Sequence, residues 1–218
     1  MPAIDRAQIQ SRIFSDINSN AKSVPSDVLL HIQMMSNPFS DIGIARRVIG
    51  KLNKRSVFLN MFELSLVEEP KIKVASIIKF ALRYLVTLTP AEGKISLYYW
   101  TGNKKALEDR NEELLDSYIE FCTNQLDVYF SAIKKRFREE WGADNTKVLS
   151  VTSINGFIMA FTRQLKENGI QNFEFYDEKF KNFEINFTKE AFIYSSSQYR
   201  KFSNQIIEEA FGLDIELV

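Results

Sequence analysis

The chain has 218 residues with 28 basic and 28 acidic side chains, so its net charge is zero and long-range attraction to nucleic acid is not a property of the whole molecule. A hydrophobic share of 45%, with 18 Phe and 8 Tyr, excludes a disordered chain, and 8 Gly with 5 Pro leave little material for glycine-rich loops. Cys122 is the sole cysteine, which excludes an intramolecular disulfide; no signal peptide is legible and no apolar run reaches the ~20 residues of a membrane-spanning helix, so a cytoplasmic protein is expected.

The elements read in chain order are mostly helical. A first helix is expected over roughly 5–18, with Ile13, Phe14 and Ile17 at helical spacing. Asn18 and Asn20 suit its exit, Pro25 forbids continuation, and Ser26 can cap a second helix over about 26–36. Asn37-Pro38 ends that helix, and Ser40 caps a third over about 41–53, where Ile44, Val48 and Leu52 share one stripe. Residues 56–67 are apolar and partly alternating, compatible with an extended piece or a short helix. Over 73–88 the residues Ile77, Phe80, Ala81, Tyr84 and Leu88 recur at helical spacing before Pro90, and 94–100 is a short strand or an apolar lead-in.

The longest element spans about 103–141, stepping through Leu115, Ile119, Cys122, Leu126, Tyr129, Ile133, Phe137 and Trp141. One helix of that length would be nearly 60 Å long at ~1.5 Å per residue, so it is expected to bend, break near Thr123-Asn124, or serve as a spine for shorter helices. Thr152 or Ser153 can cap a helix lined by Ile154, Phe157, Ile158, Phe161 and Leu165 and ended by Asn168-Gly169. Alternating aromatics over 173–187 suit a short half-buried strand or hairpin, and Ser195 to Gln198 has capping-box spacing before a last helix with Phe202, Ile206 and Ala210 on its seam and Gly212 at its end. The fold class is therefore mainly α (α+β): a helical domain with a long central helix and a few short strands. A boundary in 87–103 would divide an N-terminal part, 1–90, from 91–218, unless the two form one continuous domain.

The turn between the first two helices joins apolar runs through an amide-rich, cationic stretch, where Asn18, Asn20, Lys22 and the free N–H groups of a helix start could converge on an anion. The segment Ile13-Phe14, Ile17-Asn18, Asn20, Lys22 and Pro25 resembles the stretch that follows the signature motif in the DGQHR-domain family, which includes the DndB-like regulators of DNA phosphorothioation (DNA sulfur modification). Phe183-Glu184-Ile185-Asn186-Phe187, leading through Tyr194 and Tyr199 to Glu208-Glu209-Ala210-Phe211-Gly212, is similar to the closing strand and helix of those proteins. ParB-type proteins are more distantly similar, and that likeness implies Asn18 as the candidate phosphate or metal-water contact. No Asp-Gly-Gln-His-Arg sequence occurs in the chain, so the resemblance implies the later portion of a longer protein or a truncated member.

A local cation excess lies on the third helix, where Arg46, Arg47, Lys51, Lys54 and Arg55 face only Asp41, and Arg47, Lys51 and Lys54 turn away from the apolar stripe. The candidate phosphate or nucleic-acid site is accordingly Asn18, Asn20, Lys22, Arg46, Arg47 and Lys51, with a solvated helix face as the plain alternative. Lys134 to Arg138 reads as a mixed-charge helix end, and Arg200-Lys201 as a weaker cluster. With one His and one Cys, no zinc cluster or Cys–His nucleophile can be assembled; His31 and Cys122 read as packed residues, no glycine loop for phosphate is present, and no cofactor or catalytic residue is assigned. The expectation is a non-catalytic, DNA-associated regulatory protein of a DNA-modification or mobile-element defence system, with DNA, a protein partner or a second copy as possible partners. The alternatives are a helical protein-interaction module without nucleic-acid binding and a truncated ParB-like nucleotide-binding protein.

Overall fold

The computed structural model describes residues 37–62, 72–102 and 104–214. Asn18, Asn20, Lys22 and His31, with the first two expected helices, lie outside the described residues. Helix dominates, as the periodicity predicts, and the described residues hold no sheet: β-type pairing among them is confined to two isolated bridges, Phe62 with Ile72 and Thr146 with Thr188.

Helix α1 (Asp41–Leu52) starts where expected, because Ser40 Oγ accepts the Gly43 amide at 3.0 Å and Asp41 complements the positive end of the helix. Its buried stripe is Ile44, Val48 and Leu52, widened by Ala45 and Ile49. Residues 56–61 form irregular turns and not a strand; the Asn53 side chain accepts the Phe62 amide at 2.8 Å and holds the turn closed. The part of the 56–67 reading beyond Phe62 lies outside the described residues.

The next helical run is α2 (Val74–Ile77), a π-helical turn (Ile78–Leu82) and α3 (Arg83–Val86). Its buried residues repeat every four positions, Val74, Ile78, Leu82 and Val86 beside Ile77, Ala81 and Leu85. A straight α-helix has 3.6 residues per turn and would carry a four-residue stripe around its circumference; the wider π turn keeps that stripe on one side. Phe80 and Tyr84, expected on the buried stripe, are instead 42% and 57% exposed. Residues Leu97–Trp100 then form a 3₁₀ turn in place of a strand, steadied by the Ser96 hydroxyl, which donates to the Thr87 carbonyl at 2.9 Å.

The long element divides, though not at Thr123-Asn124. Helix α4 (Lys104–Glu108) ends, and α5 (Glu112–Arg136) begins one turn later with Asn111 Oδ1 accepting the Leu114 amide at 3.1 Å. Thr123 lies buried within α5, its hydroxyl donating to the Ile119 carbonyl at 2.7 Å, so a residue that reads as a breaker is satisfied inside the helix. At about 38 Å, from ~1.5 Å per residue, α5 is the spine on which other helices pack. Its Tyr129 and Phe130 meet Phe58, Phe157, Phe161, Tyr176 and Phe180 at ring-centroid distances of 4.7–6.2 Å.

Helix α6 (Val151–Asn168) buries every apolar residue expected of it, but its cap is Ser150, whose Oγ accepts the Ser153 amide. Gly169, at φ 67°, ends it. Residues 173–187 are not a strand or hairpin: Asn172 caps α7 (Phe173–Phe180), which packs on α5, and an irregular segment follows with Phe183 and Phe187 buried. The aromatic side that alternation marked is buried, but Phe183, Ile185 and Phe187 have no neighbouring strand to pair with. Helix α8 (Tyr199–Glu209) buries Phe202 and Ile206 against α6, but it starts a turn later than the capping-box spacing predicts: its N-cap is Gln198, which makes no side-chain cap bond, and the Gln198 side chain instead accepts the Ser195 amide at 2.9 Å in the turn before the helix.

Three buried tyrosines each place their hydroxyl: Tyr118 on the Val86 carbonyl, Tyr129 on the Phe157 carbonyl and Tyr176 on Gln164 Oε1. One hydrophobic core, from Ile44 to Phe211, includes residues from both sides of 87–103.

Candidate functional site

Two cation-bearing surfaces rise from this frame, and they differ in what their charges touch. On α1 and the turn that follows it, basic residues step by four and meet α5 at a constant sequence offset: Arg47 pairs with Asp116, Lys51 Nζ with Glu120 Oε2 at 2.6 Å, and Arg55 with Asn124 Oδ1 at 2.9 Å as well as with Glu120. An offset of 69 residues between successive partners means that α1 and α5 run side by side in the same direction. The hydrogen bond from Lys51, with Arg55 beside it, holds the Glu120 carboxyl below the usual carboxylate range. Deeper on the same face, burial raises the Asp127 carboxyl against the pull of Arg55 and Lys134. A phosphate approaching Arg47 or Lys51 would compete with carboxylates already in contact. Arg46 stands half-buried on the same helix.

The second surface is a groove of about 1200 Å³ between the N-terminal end of α1, the π-turn run, the loop that precedes the 3₁₀ turn, and helices α6 and α8. Its described lining carries six basic residues, Arg83, Lys94, Arg110, Arg163, Lys166 and Arg200, and three acidic ones, Asp41, Glu108 and Asp214. Two of the acids are engaged within the protein: Asp41 Oδ2 pairs with Arg83 Nε at 2.9 Å, and Glu108 Oε1 accepts the Tyr98 hydroxyl at 2.5 Å. Burial, and then that bond to Glu108, push the Tyr98 hydroxyl up to about 12. Lys94, Arg110 and Arg200 are exposed and have no carboxylate partner among the described residues.

Arg110 is held in an unusual backbone position. It has φ 59°, in the left-handed region, at the turn that closes α4: its amide donates to the Leu107 carbonyl and the Asn111 amide to the Ala106 carbonyl. That pattern is a Schellman closure, and its left-handed residue is most often glycine, because a Cβ there costs energy. An arginine in its place projects a charge at the groove's rim at a cost to the backbone.

Of the sequence-marked site, Arg46, Arg47 and Lys51 share α1, while Asn18, Asn20 and Lys22 are outside the described residues. The groove was missed because its cations come from five separate stretches of chain, only one of which, Arg200, lay in a noted cluster. The available signal was the four-residue repeat from Val74 to Val86, which places Phe80 and Tyr84 off the buried stripe. No protein-family model matches the chain, and no curated protein or solved structure matches it either. No helix among the described residues is long and apolar enough to cross a membrane.

Proposed function

We propose that the protein is a DNA-associated regulatory protein of a DNA-modification (phosphorothioation) or mobile-element defence system, acting by binding and not by catalysis. The modification or defence context comes from the resemblance of its Asn-Lys turn and closing segment to the DGQHR-domain family. The observation that carries DNA association is the distribution of uncompensated charge. In a chain of zero net charge, Lys94, Arg110 and Arg200 gather at one groove without carboxylate partners among the described residues, whereas Arg47 and Lys51 on α1 and Arg55 just after it are neutralised by α5 carboxylates. Unpaired cations release counterions from a phosphate backbone on binding; paired ones must first give up their own carboxylates.

The test is a titration of the whole protein with labelled DNA at several salt concentrations. Binding that weakens with salt, with a log–log slope of about −2 to −3 for three phosphate contacts, is expected. Absence of binding at low ionic strength would overturn the reading.

A further inference from the structure

Resting on that DNA-association reading, we propose that the groove holds a single, unpaired strand of nucleic acid, its phosphates met by Lys94, Arg110 and Arg200 and its bases stacked on Tyr84 and Phe80. The first support is the aromatic wall. Tyr84 and Phe80 are large apolar rings left 57% and 42% exposed, and the Tyr199 ring lies 5.9 Å from Phe80, tilted by 32°. The Arg83 guanidinium sits 5.0 Å from the Tyr84 ring centre and is itself tied to Asp41, so the ring is steadied while more than half its surface remains open. Exposed rings interleaved with cations form the surface on which successive bases stack while the backbone follows the charge.

The second support is the backbone that presents these groups. Phe80 lies within the π turn and Tyr84 one turn beyond it, and such turns concentrate at functional sites. Arg110, also in the groove's lining, holds a left-handed conformation that glycine would adopt without strain. Two separate departures from regular backbone thus flank one groove.

Dimensions and chemistry choose the occupant. At about 1200 Å³ the groove exceeds the ~1,000 Å³ upper range of small-molecule pockets, so an extended ligand fits it better than one compact molecule. A duplex hides the faces of its bases within its own stack, and exposed rings can engage only bases that are unpaired or splayed.

The experiment compares oligo-dT with a duplex of the same length by fluorescence anisotropy, using the full chain and two variants. Oligo-dT is expected to bind more tightly than the duplex. The Phe80→Ala plus Tyr84→Ala protein should lose roughly tenfold or more in oligo-dT affinity and keep its duplex affinity, since stacking contributes to each base. Arg110→Gly removes a charge but relieves a strained backbone, so its oligo-dT affinity should fall with no drop in melting temperature. Equal affinity for the two DNAs, unchanged by the aromatic substitutions, would overturn the single-strand proposal and leave DNA association standing. Failure to bind either DNA at low salt would remove both.

Discussion

Single residues decide how closely the helices approach. Gly156 on α6 faces Phe202 of α8, and a Cβ built there falls 2.3 Å from Phe202 Cδ1. That ring is fully buried and packs on Phe157, Phe187 and Phe192, so it has nowhere to yield. Gly156→Ala should therefore destabilise the protein by about 1–3 kcal/mol, the usual cost of overpacking a dense core, measured as a lower midpoint in urea unfolding. A midpoint equal to the parent's would mean that α6 and α8 are farther apart than described. Cys122 and Tyr129 are core groups as their spacing implies, and burial pushes the Cys122 thiol well above its ordinary value, which leaves it inert at neutral pH. Phe80 and Tyr84 escaped the same logic, because a ring in an apolar-rich segment looks like core until the true repeat is counted.

At the scale of elements, capping chemistry made the start of α1 legible to the residue, and apolar spacing made α6 and α8 legible as helices although their caps are Ser150 and Gln198 and not the residues expected. The places where the reading failed share a cause: a local signal had to be arbitrated by tertiary contact. The break between α4 and α5 depends on Arg110 adopting a left-handed conformation that its side chain does not advertise. The segment 173–187 carries a strand-like alternation but no neighbouring strand, and helix α7 wins by docking on α5. The α1 cations looked available because their partners, Asp116 and Glu120, lie some 69 residues away and no local rule pairs them.

This pairing has a pH signature. The folded protein holds Glu120 below the ~4.3 of an unperturbed glutamate, so its contribution is fully present above that value and is lost as pH falls through the lower, folded one. Glu120→Gln should reduce stability at pH 7 by up to about 1 kcal/mol, the range of exposed pairs, with the difference from the parent vanishing in acid. Denaturant unfolding at pH 7 and at pH 3 checks this; a deficit of equal size at both would assign the effect to packing and not to charge.

For the whole molecule, zero net charge conceals an uneven surface. One face spends its cations on holding α1 against α5, and another presents Lys94, Arg110 and Arg200, without carboxylate partners among the described residues, beside exposed rings. Composition could state the total but not this division, which depends on the way α1, the π-turn run, α6 and α8 meet around one groove. Nucleic-acid binding is therefore predicted to be local, salt-sensitive and separable from the stability of the helical frame.

The most direct measurement sets two double variants against each other in the same salt titration with DNA: Lys94→Ala plus Arg200→Ala in the groove, and Arg47→Ala plus Lys51→Ala on α1. The groove variant should bind more weakly with a salt slope shallower by about 1.5–2, two contacts' worth, while the α1 variant keeps the parent's slope. The reverse pattern, a lost slope on α1 and none in the groove, would contradict the account.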